Sequence, residues 1–186
     1  MKMGTLSQEQ SEYPATLTPW LDKDAPVQLS YIGNIEILKQ PLLGLFSSVK
    51  CPANLIIKAH DLAHKLAESG TPVISGFHSP VEKEMLSVFL QGTGSIAICL
   101  ARGLEEMRIP SVWREPIERG RVVLISLSDG QVKRPTVANA EKRNHLVAEL
   151  AQNILIIHTT KGGRLASQVE KWERAGKKVQ ILGGAL

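Results

Sequence analysis

Aromatic side chains are scarce: three Phe, three Trp and two Tyr make up 4% of the 186 residues. That leaves few platforms for stacking bases, with Trp113 and Trp172 the main candidates. Cysteine is almost absent. Cys51 falls in a loop pattern and Cys99 ends an apolar run, without a C-x-x-C pair, which fits a reduced cytoplasm. No apolar run approaches the roughly eighteen residues of a membrane span. The start Met-Lys-Met-Gly-Thr-Leu-Ser-Gln-Glu-Gln lacks the apolar block of a secretory signal. The expectation is a soluble cytoplasmic protein without a membrane partner. Phosphate-binding fingerprints are missing too. The turn Ser47-Ser48-Val49-Lys50-Cys51-Pro52 holds no glycine, and Gly92-Thr93-Gly94 precedes a strand pattern instead of following one. Nicotinamide binding of the G-x-G-x-x-G type and the P-loop are both disfavoured, and no cofactor is expected.

What is present is the composition of an ordinary globular domain, 43% apolar and 22% charged, so disorder of the whole chain is excluded. Lys2 and Lys23 against Glu9, Glu12, Asp22 and Asp24 give residues 1–30 a charge of −2, so the total of +4 leaves +6 on the remainder. A basic body is compatible with nucleic acid or a phosphate-bearing ligand. Residues 1–30 are polar, carry Pro14, Pro19 and Pro26, and read as a tail or an arm lying along an edge; residues 31–186 read as one domain.

From Leu42 short apolar runs alternate with amphipathic stretches. Strands are expected at 42–46, 72–75, 95–100, 121–127, 153–159 and 178–182, with helices at 54–69, 80–91, 103–107, 135–152 and 164–175. This alternation predicts an α/β, Rossmann-like fold: a mainly parallel sheet with helices on both faces, a three-layer sandwich. In such a sheet, strand ends and helix starts share one crevice that favours anions.

The most informative stretch is Val73 to Glu82. An apolar run breaks at Gly76, then Ser79, Pro80 and Glu82 form a Ser-x-x-Glu capping box with proline in the first turn. His78 stands at the mouth of the crevice, where it either donates to a phosphate or packs beside the helix start. Ser75, Ser79 and Glu82 cluster around it, Glu82 reading as the capping partner before a base. His60 and His64, four apart, read as a solvated face, and no metal site is expected. On the long helix, Val137, Ala140, Val147 and Ala151 form a stripe interrupted by Arg143-Asn144. Arg143 either pins a neighbouring loop or reaches an anion. Lys161-Gly162-Gly163-Arg164 opens another helix after a strand, where the glycines serve either close phosphate approach or a tight turn. Arg102-Gly103 repeats that arrangement elsewhere on the rim. Arg108, Arg114, Arg119, Arg121, Lys133 and Arg134 read as mostly solvated charges.

In order, Tyr-Ile-Gly-Asn at 31, Leu-Gly-Leu-Phe-Ser-Ser at 43, Val-Ile-Ser-Gly at 73, Ile-Ala-Ile-Cys-Leu-Ala-Arg-Gly at 96, Arg-Asn at 143 and Gly-Gly at 162 resemble the DprA/Smf family of DNA-processing proteins. These belong to the wider Rossmann-like SLOG group, which also holds nucleotide-ligand sensors and phosphoribohydrolases. The resemblance spans residues 27–184. It implies a homodimer that binds single-stranded DNA in a basic pocket and loads a recombinase during transformation. The family's Gly-Ser-Arg falls on Ser47, Ser48 and Val49, so its arginine is replaced by valine, with Lys50 beside it. The Ser-Gly pair falls on Ser75 and Gly76, the Arg-Asn pair on Arg143 and Asn144, and the Gly-Ser-Gly-Ser turn on Lys161 to Arg164.

The expected ligand residues are therefore Ser47, Ser48, Ser75, Gly76, His78, Ser79, Glu82, Arg143, Asn144, Gly162 and Gly163. Lys50, Arg102, Arg143, Lys161 and Arg164 are expected to face nucleic acid. Two other expectations stand beside DNA binding. One is a sensor holding a nucleotide-like anion at the Ser79 helix start. The other is an N-glycosidase or phosphoribohydrolase using Glu82 or His78, against which stands the missing Pro-Gly-Gly-x-Gly-Thr signature of that branch.

Overall fold

The computed structural model describes residues 3–7, 9–11, 13–17, 28–127 and 132–183. Among these, eight strands form one sheet: β1 (Met3–Ser7), β2 (Gln28–Gly33), β3 (Leu43–Ser47), β4 (Val73–Ser75), β5 (Ile96–Leu100), β6 (Val122–Ser126), β7 (Asn153–His158) and β8 (Val179–Ile181), in the order β1-β2-β6-β5-β4-β3-β7-β8. The six strands from β3 to β8 run parallel, while β1 pairs with β2, and β2 with β6, antiparallel. The α/β, Rossmann-like class expected from the alternation is the observed one. Five helices connect the strands: α1 (Ala53–Glu68), α2 (Pro80–Gln91), α3 (Ser111–Glu118), α4 (Val137–Leu150) and α5 (Arg164–Arg174).

The parallel strands are nearly all apolar because both faces are covered. Ala59 and Ala63 of α1, Met85 and Phe89 of α2 and Ile117 of α3 pack on one face with Leu45, Ile98 and Leu124. Leu146 and Val147 of α4 and Val169 and Trp172 of α5 pack on the other with Phe46, Cys99, Ile125 and Ile156. Phe46 and Trp172 lie 4.6 Å apart between centroids. The chain leaves β3 toward one face and β7 toward the other, and these strands are neighbours. The change of direction between them opens the crevice at their carboxyl ends.

Five features depart from the sequence reading, the first being β2, a strand across the expected boundary at residue 30 where the sequence reading placed none. Met3–Ser7 forms an edge strand in a segment where the sequence marks none; Leu6 is its one buried residue, too few for an alternating pattern. Pro19 and Pro26 of the expected arm lie outside the described residues. No helix forms at 103–107, where the chain makes a single turn closed by the Met107 N–H on the Leu104 carbonyl (3.1 Å), with the Gly103 N–H on the Val132 carbonyl (2.9 Å). The helix of this connection begins instead after Pro110, whose backbone is already fixed for a helix entry. The α4 stripe is buried only toward its C-terminal end: Val137 is exposed and Ala140 half-buried, while Val147 and Ala151 are buried together with Arg143, Leu146, Ala148 and Leu150. Arg121 is not a solvated charge, since it donates to the carbonyls of Phe89, Leu90 and Gly94 and closes the C-terminal end of α2.

Candidate functional site

Parallel pairing delivers the ends of β3, β4 and β5 to the same rim as the starts of α4 and α5. Between them lies a cavity of about 580 Å³, within the range of small-ligand pockets. Its walls take Ser47, Ser48 and Val49 from the end of β3, Gly76, His78, Ser79 and Glu82 from the β4–α2 turn, Arg102 from just beyond β5, and Arg143, Arg164 and Gln168 from α4 and α5.

The β4–α2 turn is built around Glu82. The Ser79 hydroxyl accepts the Glu82 N–H (3.3 Å) and the Glu82 carboxyl accepts the Ser79 N–H (3.1 Å), the capping box expected from the sequence. The same carboxyl reaches further. Its Oε2 accepts the His78 N–H at 2.7 Å, and its Oε1 accepts the Ser47 N–H at 2.7 Å, bonding the end of β3 to the start of α2. Burial pushes the Glu82 carboxyl above its ordinary range, against the opposing pull of these three N–H groups and of Arg143. The His78 and Ser79 amides leading into this helix are thus engaged by the chain's own carboxyl, and the Glu82 N–H by the Ser79 hydroxyl. The turn itself is tight. Phe77 is buried at a left-handed φ of 45°, its N–H donates to Ser75 Oγ (3.1 Å), and Ser75 is wholly buried.

On the opposite wall Arg143 is 8% exposed. Its Nε donates to Asn144 Oδ1 (2.9 Å), and Asn144 Nδ2 donates to Gln168 Oε1 (2.9 Å) on α5. The guanidinium lies against Gly76, where a Cβ would overlap it. Glycine is needed there for this close approach. Burial lowers the Arg143 pKa while Glu82 and Cys99 raise it, and an arginine so placed keeps its charge. His78 is exposed on the rim, and burial of its ring together with Arg143 and Lys83 lowers its pKa, so it is neutral at pH 7.

The structure therefore brings together Ser47, Ser48, Gly76, His78, Ser79, Glu82, Arg102, Arg143, Asn144 and Arg164. Ser75 faces inward and does not line the cavity. Gly162 and Gly163 form the β7–α5 turn beside the cavity, Gly162 at φ 70° with open space around it and Gly163 preceding the first turn of α5. That turn is tied to the end of β3, because Ser48 Oγ accepts the Thr160 N–H (3.2 Å). Lys50 and Lys161 are exposed and lie outside the lining. Val49 is 65% exposed on the rim, at the place the resemblance gives to arginine. His60 and His64 stand edge to face on the outer side of α1, 4.7 Å between centroids. Gln168 and Thr136 line the cavity without having been singled out. Thr136 had a visible signal, a hydroxyl before a helix, and it caps α4 by accepting the Asn139 N–H (3.1 Å). Gln168 had none.

The arrangement presents one fixed guanidinium, flexible basic side chains at the rim and apolar surface from Phe46, Leu100 and Leu165. These are the elements for holding an anion with an apolar part. Among the described residues no helix is long and apolar enough to cross a membrane.

No curated protein sequence matches the chain. Among solved structures, DNA processing protein A (DprA) from Streptococcus pneumoniae superposes with a TM-score of 0.80 at 20% identity, over 100% of this chain and 65% of that one. The chain thus spans a little under two thirds of that relative. The DNA processing protein A of Helicobacter pylori, described for its single-stranded DNA binding mode, gives 0.74 at 17% identity over 97% of this chain and 80% of that one. The molybdenum cofactor binding protein of Rippkaea orientalis gives 0.53 at 12% identity, over 76% of each chain, and shares the fold. The sequence pattern described as DNA recombination-mediator protein A matches residues 4–185, and with nearly the whole chain covered, this protein belongs to that family.

Proposed function

We infer that the cavity binds single-stranded DNA by its backbone phosphates, and that the protein acts as a DNA-binding accessory in uptake, transformation or recombination. The observation that carries this reading is the Arg143 wall: a guanidinium held by Asn144 and backed by Gly76, whose terminal nitrogens have no hydrogen-bond partner among the described residues. A planar, anchored fork of this kind suits phosphate oxygens. Arg102 and Arg164 on the rim, with Lys50 and Lys161 just beyond it, extend positive charge along the path a strand would follow. Membership of a recombination-mediator family and the single-stranded DNA binding described for the Helicobacter pylori relative support the same reading. A recombinase partner, a homodimer and a cytoplasmic setting follow from the family as parts of this proposal.

Glu82 acts as a structural clamp, because both of its oxygens already accept backbone N–H groups. That favours a binding protein over an N-glycosidase. A second reading, a sensor for a single nucleotide, draws on the enclosed volume of about 580 Å³ and its apolar lining. Its phosphate would then sit on Arg143, since the Ser79 helix start is filled.

Fluorescence anisotropy with a labelled oligonucleotide of about thirty bases at low salt tests the first reading. Binding that weakens as salt rises, and weakens about tenfold in Arg143→Ala, is the expected result. No binding by the wild-type protein overturns it. A nucleotide retained through gentle purification and seen by mass spectrometry, together with a thermal shift by mononucleotides, would select the second.

A further inference from the structure

Arg143 is bonded into a chain of amides that runs from a group that can only donate, its own Nε–H, to one that can only accept, the Glu141 carbonyl. The Glu141 carbonyl can only accept, and it accepts from Gln168 Nε2 (3.3 Å). With Nε2 on Glu141, Gln168 meets the next turn of α4 with its Oε1, which accepts from Asn144 Nδ2 (2.9 Å). Asn144 is left with Oδ1 for the Arg143 Nε–H (2.9 Å). The oxygen and nitrogen ends of a side-chain amide are nearly alike in size, so hydrogen bonds alone decide which way it faces. The donor-only Arg143 Nε–H and the acceptor-only Glu141 carbonyl impose the same direction on both amides between them. With Nε on Asn144 and Nη1 the atom closest to where a Gly76 Cβ would stand, the guanidinium is confined on two of its nitrogens.

We propose that Gln168 of α5 is a positioning residue, which through Asn144 fixes the direction in which Arg143 meets a phosphate. This rests on the DNA-binding reading for its consequence, while the relay itself is a property of the free protein. It assigns a role to a contact between α4 and α5 that links residues 24 positions apart. It also makes the two helices a single recognition unit.

The test is a double-mutant cycle of Gln168→Leu and Arg143→Ala, with Gln168→Met as the unbranched alternative should the leucine variant unfold. The probe is a labelled oligodeoxythymidine of about thirty bases, titrated at several salt concentrations. Gln168→Leu is expected to weaken binding about three- to tenfold, the size of one lost hydrogen bond. It is also expected to lower the salt slope by up to about 0.7, the share of one phosphate on a single strand. In the Arg143→Ala background the same substitution should change neither quantity. A packing role alone would leave the salt slope unmoved. In the protein without DNA, the Arg143 Nε–H signal in a nitrogen-15 spectrum should exchange slowly with solvent in the wild type and faster in Gln168→Leu. Additive effects on affinity, or an unchanged Nε–H exchange rate, overturn the proposal. If the wild type binds no oligonucleotide, the DNA reading fails and the exchange rates still decide the relay.

Discussion

The two walls of the cavity handle their polar groups in opposite ways. On the wall made by β3, β4 and α2, one carboxyl, Glu82, takes up the N–H groups of Ser47, His78 and Ser79. On the wall made by α4 and α5, an amide relay ends at a guanidinium whose far side faces the cavity. A serine-proline helix start with its partial positive charge looks like the natural anion site. The contrast teaches that such a start is a site only where the chain has not filled it. Here the first wall is a closed scaffold, and the proposed function places the ligand chemistry on the second.

The largest effect that could break this contrast is on folding. Glu82→Gln replaces one acceptor oxygen by an NH₂ group, which must face an N–H donor on β3 or on the α2 turn. We expect a loss of about 3 kcal/mol in urea unfolding, with little change in DNA affinity for the protein that remains folded. Unchanged stability would erase the distinction between the walls. The pH dependence has a definite sign. The native Glu82 carboxyl titrates above 4.5, so the folded chain keeps a proton over an interval where the unfolded chain has lost it. Stability from this group is present below that interval and is lost as the pH rises through it. Glu82→Gln should abolish that part of the slope.

Next in size, Gly76→Ala places a methyl group where the Arg143 guanidinium lies. Its expected result is an affinity loss of about tenfold, close to that of Arg143→Ala, with stability lower by about 1–3 kcal/mol. Affinity equal to wild type would show that the fixed position of the guanidinium does not matter. Val49→Arg sharpens the comparison in the other direction. It adds a guanidinium to an exposed rim position and should tighten binding severalfold, steepening the salt slope by about 0.7. An unchanged slope would mean that the strand does not pass the β3 turn. The smallest effect belongs to His78. Its lowered pKa leaves it neutral at pH 7, and a nearby phosphate would favour its protonation. Wild-type affinity should therefore rise about twofold to threefold as the pH falls below about 6.5, and His78→Gln should flatten this rise. A parallel rise in the variant would assign the effect elsewhere.

Much of this architecture was legible in the chain. The strand and helix alternation from Leu42 onward carries the sheet, and the helix at 80–91 has the bounds its capping box announced. The break in the α4 pattern at Arg143-Asn144 marked the arginine that lines the cavity. What the sequence hid depends on contacts between distant residues. The Ser47 to Glu82 bond joins positions 35 apart, and no local pattern distinguishes a glutamate that caps from one that also clamps a strand. Gln168 looks like any polar residue of an amphipathic helix until α5 is laid beside α4. Arg121 reads as a solvated charge until the end of α2 arrives beside it. β1 has one buried residue in five, and its partner in the sheet, β2, lies beyond an intervening segment of low periodicity.

Phe77 shows what the stiff wall does to a guest. Its left-handed backbone costs about 1–2 kcal/mol, and the ring is buried in edge contact with Phe89, 6.4 Å between centroids. A kink anchored by an aromatic peg on one side and a carboxyl on the other has little freedom to yield. If the cavity takes nucleotides as proposed, adjustment to their size falls to the helices across from this turn, and the cleft would work as a vice with one fixed jaw.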